Sequence, residues 1–489
     1  MGDHIVETDD VKTLLGNPKK ALIAMAIPMM IATVVQSANN MIDAIWLAGL
    51  GAGALAATGV VFPLFFVVMG FGNGIGVGAS QALSRRIGAG DYDGTSKVAA
   101  QAVMIGLAGG LVMTVAFLLL AEPLLSICGA GEYLDECMEY AIPILLFIPV
   151  FLIGSILSGL LRSEGASKRA MNIQVVGAAI NIVLDPIFIY IFGWGIAGAA
   201  WATSISMTVS MVIGLYWYFI KKDTFVRIPL RGFRFDKGLD WDIMKVGIPA
   251  SMEFIIIMSL VAVIMNRIIL GLDPVNGIAV YSSGWRALEI VMIPAMSFGF
   301  SIVPICAAAY GAGRIDKFRQ TYRLSVLYGT CTMIVLAVFL LVFAPQISVL
   351  FSYSEGMEDL GEQLTVFLRV GALFIPFVTV SYASSSMFQS LGMGTRSLVA
   401  TVMMHMLGVP ICAALSTFGD LSMIWYGLTV SEIAGAAILG TWAVRTVRRL
   451  GDPMEKEADT DRIGSSRREQ YYPASDTSAH GTDRHPRTR

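Results

Sequence analysis

Residues 21–49, ALIAMAIPMMIATVVQSANNMIDAIWLAG, are apolar enough and long enough to cross a bilayer, yet they carry Gln36, Asn39, Asn40 and Asp43. Counted from Gln36, the other three follow at spacings of three, four and seven, which places all four on one polar stripe of a helix. Pro28, a few turns earlier, weakens the backbone ladder at that point. A carboxylate near mid-membrane costs roughly 2.5–3.5 kcal/mol on insertion scales, so it normally faces a protein interior or a water-filled cavity. Asp43 is therefore a candidate functional residue, the alternative being a structural hydrogen bond to a neighbouring helix.

The composition supports a membrane reading. The 489 residues are 55% hydrophobic and 14% charged, with mean hydropathy +0.69, whereas a soluble domain carries about 25% charged residues. A formal charge of −2 and a pI near 6.1 argue against nucleic-acid binding. About twenty polar residues, several of them acidic, precede the first apolar run, so no cleavable signal peptide is expected and the first helix should remain as a span. The five cysteines (Cys128, Cys137, Cys306, Cys331, Cys412) show neither CxxC nor Cys/His metal spacing. Cys128 and Cys137 flank one expected outer loop, either as free thiols or as a disulfide.

Working outward from the first run, apolar stretches of about twenty residues predict an all-α integral membrane protein of twelve transmembrane helices. The expected spans are 21–49, 54–83, 95–121, 138–161, 168–192, 196–220, 241–270, 277–309, 320–343, 363–389, 396–417 and 421–444. With a cytoplasmic N-terminus, the inner loops collect Lys19, Lys20, Arg85, Arg86, Arg162, Arg169, Arg314, Lys317 and Arg396. The outer loops carry Glu122, Glu132, Asp135, Glu136, Asp273 and Glu355 and no Lys or Arg, so the positive-inside rule puts both termini in the cytoplasm. A plasma-membrane location is expected.

The basic stretch 221–240 divides the spans six and six. The predicted organisation is a cytoplasmic segment 1–20, an N-lobe 21–220, a linker 221–240, a C-lobe 241–445 and a polar cytoplasmic tail 446–489. The lobes echo each other. Ile27-Pro28 recurs as Ile248-Pro249, Gly88-Ala89-Gly90 with Asp93 as Gly311-Ala312-Gly313 with Asp316, and Ser163, Gly165 and Arg169 as Ser390, Gly392 and Arg396. Two pseudo-symmetric six-helix lobes around a central cleft form an alternating-access layout.

On the fifth span Asn181 and Asp185 share a face, and Pro186 leaves the Ile182 carbonyl without its usual donor. These are hard oxygen ligands, the kind a desolvated alkali cation needs. Ala199 and Thr203, also i and i+4, offer a carbonyl and a hydroxyl on the sixth span, and Asp43 adds a second carboxylate if the first helix packs alongside. A capped kink at Pro186 is the structural alternative. Two carboxylates close together in low dielectric cannot both ionise cheaply, so either a cation or a proton must compensate them. The C-lobe carries its own charges: Glu253, Arg267, Arg286, Glu289, His405 and Glu432. Arg286 and Glu289, at i and i+3, suggest an ion pair, although Arg286 can alternatively reach Asp43 across the cleft. Glu253, beside Pro249, is either a binding site for cationic substrate or structural. The 27 methionines, Met29 and Met258 among them, suit promiscuous apolar binding but also pack membrane cores.

Taken together, IPMMIATVVQSANNMIDAIWLAGLG, GASQALSRRIGAGD, LLRSEGASKRAMNIQVVGAAINIVLDPIFIYIFGWGIAGAAWAT and PICAAAYGAGRIDKFRQ resemble the multidrug and toxin extrusion (MATE) family, and its DinF-like branch more closely. The resemblance covers about residues 20–445. It implies a V-shaped antiporter of two six-helix bundles that expels organic cations and amphipathic drugs. It also implies an N-lobe cation or proton site on Asp43, Asn181, Asp185, Ala199 and Thr203, with Na⁺ ligands from Asp43, Asn181, Asp185 and Thr203. Pro28 resembles the residue at which the first helix bends, and Arg286 the branch's eighth-helix arginine. Glu253 is similar to an acid that the NorM-like branch uses for sodium, but the partner acid on the tenth helix is missing, since 363–389 offers Tyr382 and serines instead.

The expected function is a secondary antiporter that exchanges amphipathic or cationic compounds for Na⁺ or H⁺, acting as a monomer in the lipid bilayer without a cofactor. Pro28, Gln36, Asn39, Asn40, Glu253 and Arg286 are the expected substrate or gating residues. A lipid or lipid-linked oligosaccharide flippase would need several cationic residues in the cleft, where only Arg286 stands out. An intramembrane aspartyl protease using Asp43 and Asp185 lacks a GxGD context. HExxH, GxSxG and P-loop motifs are absent, which argues against an enzyme or an ATP-driven pump.

Overall fold

In a computed structural model the described residues, 8–229, 233–257, 262–273, 276–349 and 358–450, contain helices and no strand. Arg231, Met258, Glu355 and the tail from 451 lie outside them. A short helix α1 (Asp9–Leu15) precedes α2 (Pro18–Ala48), which begins cleanly because Asn17 Oδ1 accepts the Lys19 and Lys20 amides and Pro18 occupies the first turn. There follow α3 (Ala52–Ala89), α4 (Tyr92–Ile127), α5 (Leu134–Leu146), α6 (Ile148–Ser163), α7 (Ser167–Pro186) and α8 (Gly195–Leu215). The second half holds α9 (Lys237–Ile255), α10 (Ala262–Leu270), α11 (Gly277–Gly311), α12 (Ile315–Val349), α13 (Glu358–Ser390), α14 (Gly394–Ser416) and α15 (Leu421–Arg449).

Ten of these helices are long and apolar enough to cross a membrane, and α5 with α6 makes an eleventh span bent by 50° at Phe147. Pro149, which has no N–H to continue the ladder, stands two residues after that bend. The expected seventh span, 241–270, falls on α9 and α10, between which 258–261 lie outside the described residues. On α4 a row of exposed apolar side chains, Val112, Val115 and Leu119, faces away from the protein, as a lipid-facing surface requires. Cys128 and Cys137 are both free thiols; Cys137 is buried and its Sγ donates to the Ala57 carbonyl at 3.7 Å.

Within each half the helices pack on one another. Helix α7 lies on α2 and α8, and α6 on α3 and α4, while in the second half α13 packs on α11 and α12. The halves meet through α3 with α9, α3 with α11, and α2 with α11. One apolar core, including Leu22, Met25, Ile87, Leu160, Ile243, Ile305 and Ala308, draws from both halves. It lies at the end that carries Lys19, Arg85, Arg162 and Arg314, here called the basic end. Toward the opposite end each half has a core of its own, one around Leu125 and Leu145, the other around Leu340 and Phe367. The halves are thus joined at the basic end and separately packed beyond it.

The repeated glycine motifs explain how close that junction is. A Cβ on Gly88 would collide with the Ala308 backbone, and one on Gly311 would collide with the Arg85 backbone. The two contacts are reciprocal, with the same offset of 223 residues (88 to 311, 85 to 308). Gly90 and Gly313 end their helices in the same left-handed conformation, with φ of +71° and +68°. By its contacts the chain divides into a compact unit, Met1–Ala443, which contains both halves, and a second unit, Val444–Arg489.

Candidate functional site

Helix α2 packs along α7, and the two bring three of the expected residues into one chain of hydrogen bonds. Asn39 Nδ2 donates to Asn181 Oδ1 at 2.8 Å, and Asn181 Nδ2 donates to Asp185 Oδ1 at 2.9 Å. Asp43, one turn beyond Asn39, places its carboxyl within hydrogen-bonding reach of that of Asp185. Asp185 is fully buried, and Asn39 and Asn181 nearly so.

The stripe on α2 is split along its length. Its Asn39 and Asp43 edge turns to α7, while Gln36 and Asn40 are exposed and satisfy each other, Gln36 Nε2 donating to Asn40 Oδ1 at 3.1 Å. One spacing pattern therefore serves two environments. Helix α2 itself runs unbroken through the buried Pro28. After Pro186, α7 continues as a π-helical turn over Ile187–Ile191, the looser winding expected once a proline removes a ladder donor.

What distinguishes this cluster is a shortage of donors. Asn39 Oδ1, Asp43 Oδ1 and Asp185 Oδ2 are buried oxygens with no hydrogen-bond partner. Unpartnered buried polar atoms are uncommon in folded proteins, and here all three are acceptors. Two facing carboxyls need a shared proton or a cation between them. The donor set, carboxylate and amide oxygens, is of the hard type that fits an alkali ion or a proton. Among the described residues no three His, Cys, Asp or Glu side chains converge as they would around a transition metal.

Ala199 and Thr203 lie on α8, which packs on α7, but neither hydrogen-bonds to Asp43, Asn181 or Asp185. Tyr140 of α5 does stand near both acids, close enough for their charges to act on its phenol. No local pattern in the sequence singled it out, since a tyrosine in an apolar helix has no periodic partner. Farther along α2, Tyr190 Oη donates to the Trp46 carbonyl at 2.6 Å, with ring centroids 6.1 Å apart, which ties this part of α2 to the π turn.

The second half is arranged differently. Glu253 on α9 accepts from Ser385 Oγ and Ser397 Oγ, each at 3.1 Å, and from Gln389 Nε2 at 3.4 Å. Where the sequence reading looks for an acid on the tenth span, α13 brings Ser385 and Gln389 to Glu253, and Ser397 of α14 adds a third donor. Arg286 is exposed and forms no ion pair with Asp43; nor does it close the expected pair with Glu289, although the two remain near enough to interact through space. His405 Nε2 lies 3.9 Å from Glu432 Oε1, and its Nδ1 is 2.9 Å from the Thr401 carbonyl.

The MatE family matches residues 28–187 and 249–414, one block in each half. The chain is similar to the multidrug export protein MepA of Staphylococcus saprophyticus, 25% identical over 423 residues that cover 86% of this chain and 92% of MepA. Among solved structures it resembles an outward-facing multidrug resistance MATE family transporter of the MOP superfamily, with 34% identity and TM-score 0.88, covering 91% of this chain and 99% of that one. A MOP superfamily transporter from Pyrococcus furiosus, for which a reversed pocket polarity and a different function have been suggested, matches with the same identity, TM-score and coverage.

Proposed function

This chain belongs to the multidrug and toxin extrusion family of membrane transporters, and from that premise we propose that it exports amphipathic or cationic small molecules in exchange for inward Na⁺ or H⁺. It is a transporter and not an enzyme. The observation that carries the exchange reading is the donor-poor cluster of Asn39, Asp43, Asn181 and Asp185. An incoming ion or proton supplies the positive charge that the facing carboxyls lack, so occupancy lowers the energy of holding α2 against α7. Without it, repulsion between Asp43 and Asp185 favours separating the two helices.

Because Asp43 sits on α2 beyond Pro28, the cheapest way to separate the acids is to bend α2 at the proline, where one backbone bond is already missing. Bending moves the Gln36 and Asn40 edge of the same helix, which faces open space, and so couples ion occupancy to the shape of a substrate pocket. Thr203 and Ala199 join the ligand set only if α8 shifts toward the acids. The basic end faces the cytoplasm, by the positive-inside rule.

The test is drug efflux from proteoliposomes under an imposed Na⁺ gradient and, separately, under an imposed pH gradient. Gradient-driven export that is lost in Asp43→Asn and Asp185→Asn is the expected result. Undiminished export by Asp185→Asn, at normal levels in the membrane, overturns the proposal.

A further inference from the structure

The short helix α1 is too brief to hold together alone, since isolated helices under about twelve residues are marginal in water. Its order comes from both halves of the transporter at once. Val11 and Leu14 are buried in the core that the halves share. On the N-terminal side, Gly165 packs against it so tightly that an added Cβ would stand 2.5 Å from the Asp10 carbonyl oxygen and 3.2 Å from Leu14 Cβ. Arg169 reaches Asp10 at 3.9 Å while holding Asp223 of the linker at 2.9 Å.

The other side of α1 is held by the C-terminal half. Lys317, 5% exposed, donates its ammonium to the Leu14 carbonyl at 2.7 Å, and Arg314 Nη1 donates to the Leu15 carbonyl at 2.9 Å. These carbonyls belong to the last turn, where the helix has no donors of its own and its dipole favours cations. Burying a lysine is costly, and this one meets a main-chain carbonyl across the junction and no carboxylate within ion-pair distance among the described residues. Nearby, Gly88 and Gly311 bring the backbones of α3 and α11 together, so separating the halves at the basic end also stretches the Lys317–Leu14 and Arg314–Leu15 bonds.

We propose that α1 is a clasp across the two halves, and that Lys317 and Arg314 are the releasable side of it: they hold the basic end closed and let go when it opens. Only Gly16 and Asn17 separate α1 from α2, so on release it stays with the N-terminal half. The proposal rests on the alternating-access reading above, with Lys317 as a positioning residue that touches neither ion nor substrate.

The experiment uses full-length protein in nanodiscs and proteoliposomes, in a background with the five native cysteines replaced. Spin labels at Asp93 and Arg396, both exposed at the basic end on opposite halves, report the separation directly, with no need to know substrate or coupling ion. Lys317→Met is expected to shift the distances toward the open form and to change the maximal export rate several-fold with little change in substrate affinity. Lys317→Arg should restore the wild-type distribution. In a second arm, Leu15→Cys with Arg314→Cys is bridged by a bifunctional, reducible thiol reagent. Bridging should stop export, and reduction should restore it. Export by the bridged protein at the unbridged rate, or an unchanged distance distribution in a folded Lys317→Met, overturns the clasp. If Lys317→Met does not fold, the bridging arm decides. Failure of the ion-exchange reading instead shows as reference protein that opens and closes but exports under neither gradient.

Discussion

Each half of the molecule buries a carboxylate on a membrane helix, and the two are treated in opposite ways. Glu253 is surrounded by donors, two serine hydroxyls and an amide, which satisfy its carboxyl oxygens. Asp185 takes one amide donor, from Asn181, and otherwise it and Asp43 face each other, with an unpartnered oxygen on each. The difference teaches that a carboxylate inside a membrane protein is diagnostic through its donor count more than through its presence. A satisfied acid is a fixed part of the fold; an unsatisfied pair has to change state.

The largest expected effect follows from that. Asp43→Asn or Asp185→Asn leaves a single carboxyl facing an amide that can donate to it, so the repulsion that calls for an ion or proton is gone, and gradient-driven efflux should fall to background while the protein still reaches the membrane. Next comes Asn181→Ala, which strips the donor from Asp185 and the acceptor from Asn39. Each orphaned buried group costs about 1–3 kcal/mol, so the ion concentration for half-maximal efflux should rise by about tenfold or more. Glu253→Gln should be milder, lowering export by no more than a few-fold, because its carboxyl oxygens already have hydrogen-bond donors and, among the described residues, face no second carboxyl at hydrogen-bond distance. An effect of Glu253→Gln as severe as that of Asp185→Asn would break the comparison and make the second half an ion site too.

The smallest effect is a stability slope outside the membrane helices. Glu164, in the turn after α6, is buried; one oxygen accepts the Val226 amide at 3.0 Å and the other has no partner. Burial pushes its pKa up from 4.5 to about 8, against the lowering pull of the Val226 bond and of Arg169. Because the folded pKa is the higher one, the folded chain keeps a proton that the unfolded chain releases. The resulting stability is complete below about pH 4.5 and is lost as pH rises to about 8. Thermal unfolding followed across that window should show a falling Tm, and Glu164→Gln should flatten the slope.

Much of this was legible in one dimension. Apolar runs located the spans, and the recurring Gly-Ala-Gly and Ser-x-Gly patterns located the two halves, because the same helix ends demand the same left-handed glycines in each. Asp43, Asn181 and Asp185 stood out since polar oxygens are too costly to leave in lipid without a task. The partition of the α2 stripe was not legible: 36, 39, 40 and 43 share a face by spacing, and only the position of α7 decides which edge is buried. The donors around Glu253 were equally hidden. Ser385 and Ser397 lie more than 130 residues away in sequence, and a serine in an apolar helix more often bonds its own backbone, as Ser204 and Ser206 do here. The expected Arg286–Glu289 pair failed for a related reason, since spacing brings two side chains near each other without obliging them to touch.

The reciprocal contact of Gly88 with Ala308 and of Gly311 with Arg85 has a bearing on ancestry. A contact that looks the same from either side is what two identical chains make around a twofold axis, where one surface patch meets its own copy. A single six-helix chain pairing with itself would make this junction twice, with one glycine motif serving both roles. Fusing the copies frees each half to diverge, one toward facing acids and the other toward a satisfied glutamate, while the shared junction keeps both motifs in place. The molecule is thus symmetric where it is joined and asymmetric where its carboxylates lie.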